Sequence, residues 1–305
     1  MVGTAGPDVS CALGGDDVVY GLDGDDVVYG DAGNDVIYGG PGDDVLNGGG
    51  GSDEIWGKEG DDVIDAGGSS DTSANTVGGG EGNDVITGSA GNDVLYTGPG
   101  VRDTMYGLAG DDRLTGYDTT AGPLDELMLE PKVLYGGEGN DRFYSNGGEI
   151  DAKLGSGDDV VYGSSGNDEI EEGEGSTGGS DWIVTGGGND SVTLLGGDTG
   201  ADYVALGSGT DTLVGAGNGS TVYGGDGEDL ILIEVGDTEG VRAYAGAGDD
   251  HVEANFAGGG SGRDTVYGSV EAWAEDGEAD HSVGGGTCYI DADLDLNTAD
   301  CAVIR

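Results

Sequence analysis

The chain has 305 residues, 71 of them Gly, and sets 62 Asp+Glu against 9 Lys+Arg for a net charge of −53. So much acid with so few large apolar groups would leave a chain disordered unless something neutralises the charge. It also excludes nucleic-acid binding, because no basic patch exists to meet phosphates. Five Pro and no three-residue period exclude collagen.

Residues 1–13 read as a lead-in or N-terminal cap. The opening Met1-Val-Gly-Thr-Ala-Gly-Pro7 has neither the basic nor the apolar region of a secretory signal peptide. No apolar run anywhere reaches membrane-spanning length, so no transmembrane segment is expected. From residue 14 the pattern is strict: Asp17, Asp26, Asp35, Asp44, Asp53, Asp62 and Asp71 stand nine residues apart. Gly21-Leu-Asp-Gly-Asp-Asp26-Val-Val28-Tyr29 is followed directly by Gly30-Asp-Ala-Gly-Asn-Asp35-Val-Ile37-Tyr38. After a break at 72–77 the spacing resumes with Asp84, Asp93, Asp103 and Asp112. It returns beyond an interruption at 116–135 with Asp141, Asp159, Asp168, Asp181, Asp190, Asp202 and Asp211. Ser220 holds the next aspartate position, and Asp229, Asp250 and Asp264 follow.

Stretches at 116–135, 172–180, 196–201 and 233–243 read as loop insertions into one repeat domain, 14–268. Residues 269–305 read as degenerate repeats and a C-terminal cap, as a solenoid needs. Cys288 and Cys301 flank a strand-like segment there and are a candidate disulfide, the alternative being two thiols. Cys11 is the odd cysteine.

Each repeat has two parts. Val27-Val28-Tyr29 favours a strand, whereas Gly-x-x-Gly-x-Asp can only be a tight turn. Three strand residues suit a coil that turns at every repeat and stacks on its neighbour. Two repeats make one coil of about 18 residues with a parallel sheet on each side. Residues 18 apart then stack. Val19, Ile37 and Ile55 form one inward column, and Val28, Leu46 and Ile64 the other.

The turns stack as well, with Asp17, Asp35 and Asp53 in line on one edge and Asp26, Asp44 and Asp62 on the other. Strands about 4.8 Å apart would set these carboxylates against one another at roughly 3 kcal/mol per pair. Cations between them reverse the sign. Carboxylate and turn carbonyl oxygens, without His or Cys, are a hard-oxygen set that suits Ca²⁺ better than Mg²⁺.

The motif Gly-Gly-x-Gly-x-Asp-x-U-x, with U a large apolar residue, resembles the RTX (repeats-in-toxin, haemolysin-type) calcium-binding nonapeptide. Gly79-Gly-Glu-Gly-Asn-Asp84-Val-Ile86-Thr87, Gly136-Gly-Glu-Gly-Asn-Asp141-Arg-Phe143-Tyr144 and Gly224-Gly-Asp-Gly-Glu-Asp229-Leu-Ile231-Leu232 match it in full. The resemblance covers residues 12–268. It implies an all-β, right-handed parallel β-roll with calcium between the turns of neighbouring coils. The motif aspartates and turn carbonyls would be the ligands, and folding would follow secretion into external calcium. On that footing every aspartate of the spacing series, Asp17 to Asp264, is a candidate metal ligand. About 15–20 ions would cancel roughly 30–40 negative charges.

No catalytic constellation is visible. His-Glu-x-x-His and Gly-x-Ser-x-Gly are both absent, and the adjacent acids recur in too many repeats to be a glycosidase pair. The sequence therefore reads as a non-enzymatic, secreted or cell-surface structural protein. Outward columns, Val18 with Val36, Tyr20 with Tyr38 and Trp56, and Val27 with Val45 and Val63, offer a face for self-association into a filament or layer. The open coil ends offer another. Two alternatives stand beside this: a calcium-dependent folding and secretion module of a larger toxin or enzyme, and an ice- or glycan-binding adhesin with a cell-surface glycan as partner.

Overall fold

A computed structural model describes residues 1–68, 70–100, 102–117, 132–145, 147–172, 179–194, 200–233, 240–274, 281–284, 287–290 and 303–304, with side chains described up to residue 267. The expected disulfide between Cys288 and Cys301 lies outside the described residues and side chains. Cys11, on the strand Val9–Cys11, is an exposed free thiol.

The described residues contain strands and turns and no helix. The chain divides into two compact units, Met1–Ser156 and Gly157–Arg305. Both are built in the same way: every strand pairs in parallel with a strand of the next coil. In the first unit Val18–Tyr20 pairs with Val36–Pro41, which pairs with Glu54–Glu59; Val27–Tyr29 pairs with Val45–Asn47, which pairs with Val63–Gly68. In the second unit Trp182–Gly187 pairs with Tyr203–Ser208, and that with Thr221–Asp226. This is the all-β parallel roll that the nine-residue period predicts.

The register fixes the core. Val19, Ile37, Ile55, Val77, Leu95, Leu114 and Phe143 follow one another from coil to coil, as do Val28, Leu46, Ile64, Ile86, Met105, Leu134 and Ala152. All are at most 1% exposed. Most strands commit one central side chain to these columns, and some add a further buried residue (Ala66, Leu154, Leu206, Ala245), so the packed layer is thin and its ladder bonds matter correspondingly. The outward partners also stack as expected, with Tyr20 and Tyr38 ring centroids 5.2 Å apart and Val45 and Val63 exposed. The Val18 and Val36 column does not persist, since Glu54 follows Val36.

Strands run into two of the expected insertions and on into the stretch expected to be a C-terminal cap. Lys132–Glu138 begins inside 116–135, Arg242–Ala247 begins inside 233–243, and the backbone of Thr265–Ala274 continues past residue 268. In the two insertions the strand triplet recurs without the preceding Gly-x-Gly-x-Asp, so a motif search passes over it while backbone pairing does not. Thr265 does follow such a motif, Gly260-Ser-Gly-Arg-Asp264, and its strand runs on past the triplet. The N-terminus also differs from a bare lead-in, because Val9, Ser10 and Cys11 pair with Val27, Val28 and Tyr29.

The turns need glycine for closeness as much as for conformation. Gly42 has φ +141°, and a Cβ built there would stand 2.3 Å from the carbonyl oxygen of Gly24 on the coil below. No side chain fits that gap.

Candidate metal centre

Each motif aspartate is held by the coils on both sides. Asp44 shows the pattern. Its Oδ1 accepts the backbone N–H of Asp26 at 2.8 Å, and its own N–H donates to Asp62 Oδ1 at 2.9 Å. Its carbonyl accepts the N–H of Val63 at 2.9 Å. The aspartate therefore belongs to the stacking ladder, and its rotamer is set by two neighbours.

This bond links the aspartates into columns. In the first unit one column runs Asp8, Asp26, Asp44, Asp62, Asp84, Asp103. The other runs Asp17, Asp35, Asp53, Asn75, Asp93, Asp112, Asp141. In the second unit Asp159, Asp181, Asp202 and Ser220 form one column. Asp168, Asp190, Asp211, Asp229, Asp250 and Asp264 form the other.

Two members went unread in the sequence, and one expected member stands elsewhere. Asp8 lies nine residues before Asp17 and opens its column. Asn75, 2% exposed, occupies the place expected for Asp71. Asp71 stands off the column, where Oδ1 accepts from Ser73 N at 3.1 Å and Oδ2 from Gly51 N at 3.3 Å. The extra residues of that coil shift the phase by four, from 18 to 22 between Asp53 and Asn75. The legible trace of the shift was Val77, two residues after Asn75 as Ile37 is two after Asp35.

The second carboxylate oxygen is the chemically open one. Oδ2 of Asp26, Asp35, Asp44, Asp53, Asp62, Asp84 and Asp112 in the first unit is buried without a hydrogen-bond partner. The same holds for Asp190, Asp211, Asp229 and Asp250 in the second. A buried carboxylate oxygen left bare is costly, and native proteins seldom keep one. Each faces a specific space. A Cβ placed on Gly21 would lie 2.4 Å from Asp26 Oδ2 and 2.5 Å from the carbonyl oxygen of Gly39 on the next coil. Gly30 has the same relation to Asp35 Oδ2 (2.5 Å) and Gly48 O (2.4 Å), and Gly224 to Asp229 Oδ2 (2.5 Å) and Ala245 O (2.4 Å). Beside Asp26, Asp35, Asp44, Asp53, Asp62, Asp84, Asp112 and Asp229 the carboxylate and carbonyl oxygens of successive coils thus converge on a cradle that a glycine keeps clear, whereas buried Thr185, Leu206 and Ala245 hold that place beside Asp190, Asp211 and Asp250. Among the described residues no three His, Cys, Asp or Glu side chains meet. A cation here would take much of its coordination from main-chain carbonyls, and the donors are all hard oxygens, which fits calcium.

The RTX calcium-binding nonapeptide repeat (4 copies) matches residues 2–37, 12–46, 38–73, 71–101, 102–119, 133–149, 154–177, 175–213 and 206–237, which is more than half of the chain. The chain belongs to that family. No curated protein matches it.

Electrostatics within the RTX columns agree with a cation-sized deficit. Burial pushes the carboxyl of Asp44 up to about 6, Asp84 to about 7 and Asp62 to about 8. Backbone N–H bonds oppose the rise, and neighbouring column aspartates add to it. In the second unit Asp229 is raised to about 6 and Asp250 to about 7 for the same reasons. Such groups hold a proton, or a counter-cation, to remain buried.

Not every RTX position is open. Asp93 Oδ2 accepts the N–H of Ser89 at 2.6 Å and its hydroxyl at 2.9 Å. Asp202 Oδ2 accepts from Gly217 N at 3.0 Å and Ser220 Oγ at 3.1 Å. Asp103 Oδ2 lies 2.6 Å from Lys132 Nζ. At these three places the chain supplies its own donors, which an Asp-to-Asp spacing does not reveal.

Proposed function

We propose that this protein is a secreted structural β-roll whose column aspartates bind calcium between coils, so that external calcium drives its folding and rigidity. The observation that carries the reading is the repeated cradle: a bare, buried Asp Oδ2 facing a neighbouring coil's carbonyl oxygen. Family membership supports calcium binding, and the columns indicate which residues would perform it. The bare Oδ2 atoms and the neighbouring coils' carbonyl oxygens would hold calcium, which would supply the positive charge these carboxylates lack. The chain's own residues do the rest. The Asp N–H to Oδ1 bond aims each carboxylate, glycine keeps the cradle clear, and the aliphatic columns register the coils.

Binding confined to the folded state adds its free energy to folding. At the low calcium activity of a cell interior the acidic chain would stay extended; outside it would close. Its role is then structural rather than catalytic, and the exposed Val45, Val63 and Val85 column supports side-by-side self-association. Circular dichroism with calcium and with excess chelator tests the folding claim. At pH 8 and above, full β signal and compact elution are expected only with calcium, and a fully compact β structure in chelator there would overturn it. Sedimentation in calcium tests association separately, with a monomer at all concentrations as the adverse result.

A further inference from the structure

The column that begins at Asp8 changes chemistry at one point in the first unit. Thr104 pairs with Val133, and Val133 with Asp151. The position following Asp103 in the column is therefore Lys132, and after it comes Ile150. The backbone there is undisturbed: Val133 N donates to the Asp103 carbonyl at 3.0 Å, the bond that Val63 makes to Asp44. Both substitutes are buried, Lys132 at 5% exposed and Ile150 at 1%.

The Lys132 ammonium has three donors and meets three acceptors. Asp103 Oδ2 lies at 2.6 Å, Gly100 O at 3.0 Å and Gly98 O at 3.2 Å. One carboxylate oxygen with turn carbonyls is the same kind of oxygen set that converges beside Gly21 and Gly30. A buried ammonium is tolerated only when paired and hydrogen-bonded, and here each of its three hydrogens has an acceptor.

We propose that Lys132 is a tethered cation that takes the place of calcium at Asp103 and closes this edge of the first unit without metal. The proposal rests on the reading that the open column aspartates bind calcium. Charge balance favours it. Along the open column each bare Oδ2 lacks a counter-charge, whereas Asp103 Oδ2 has the Lys132 ammonium at 2.6 Å and Asp84 keeps a bare Oδ2 of its own. Ile150 brings no carboxylate to the next position. The positive charge arrives with the polypeptide, so this coil closes independently of the surrounding calcium concentration.

The test counts bound calcium per chain by elemental analysis after gel filtration, with terbium luminescence as a second readout. Lys132→Asp restores a facing carboxylate and is expected to bind one more ion than the parent. Asp103→Asn is expected to leave the parent count unchanged, while Asp62→Asn lowers it. An unchanged count in Lys132→Asp, or a lost ion in Asp103→Asn, overturns the assignment. If Lys132→Asp does not fold, the contrast between Asp103→Asn and Asp62→Asn still decides. A parent chain that binds no calcium at all would sink the calcium reading itself, a result distinct from either of these.

Discussion

Two stretches of the same column solve one electrostatic problem in opposite ways. From Asp26 through Asp44 to Asp62 the edge is a file of buried carboxylates, each with a bare Oδ2. From Asp103 through Lys132 to Ile150 the file passes from anion to cation to hydrocarbon. Strand pairing and the inward aliphatic column continue through both. The same coil geometry therefore accommodates a file of carboxylates at one place and an ammonium followed by an apolar group at another.

The largest effect that bears on this contrast is calcium removal. Chelation should erase most β structure, and in hydrogen exchange during the loss the strands Thr104–Ala109, Lys132–Glu138 and Ile150–Ser156 should keep protection longest. Simultaneous loss at both stretches would break the comparison. Acid should partly replace the metal at the anionic stretch. Because the folded carboxyls of Asp44, Asp62 and Asp84 are raised to about 6, 8 and 7, the folded chain binds more protons than the unfolded one above pH 3.8. Stability in chelator is thus present at low pH and lost as pH rises through about 6 to 8. Ellipticity that stayed flat between pH 5 and pH 8 would count against this.

Core truncation should cost the same in both stretches. Leu46→Ala and Leu134→Ala are each expected to lose about 2–5 kcal/mol in denaturant melts with calcium present. A large disparity would mean that the cores differ after all. Glycine replacement should separate the stretches more finely. Gly42→Ala meets both the φ of +141° and the Gly24 carbonyl, and is expected to cost about 1–3 kcal/mol from backbone strain alone. Gly116→Ala would bring its Cβ no nearer than 3.4 Å to Lys132 Cδ and should cost less, about 1 kcal/mol or under. The smallest change is Val45→Thr on the exposed outward column, expected within about 0.5 kcal/mol for the monomer. A strong shift in sedimentation from that substitution would instead point to the Val column as an association face.

The regular part of this architecture was open to reading because its period is geometric. Nine residues per half-coil places Val19 over Ile37 over Ile55 without further information, and the structure pairs them so. What escaped was each place where the register continues after the motif lapses. Asn75 follows an insertion that shifts the count by four and lacks the charge that marks the others. Lys132 carries the opposite charge, so a scan for acid passes over it, and only the triplet Val133-Leu134-Tyr135, similar to Val27-Val28-Tyr29, marks its place. The hydroxyls of Ser89 and Ser220 were legible as residues but not as donors, because their reach depends on how the turn folds back.

The pairing that spans the longest coil has a practical consequence. Asp103 and Lys132 are 29 residues apart, against 18 for Asp26 and Asp44, yet the strands after them align residue for residue. The described strands on either side keep their register despite the extra polypeptide between them. A foreign peptide or epitope spliced between positions 118 and 131 is accordingly expected to leave those strands paired, which would make this stretch a display site.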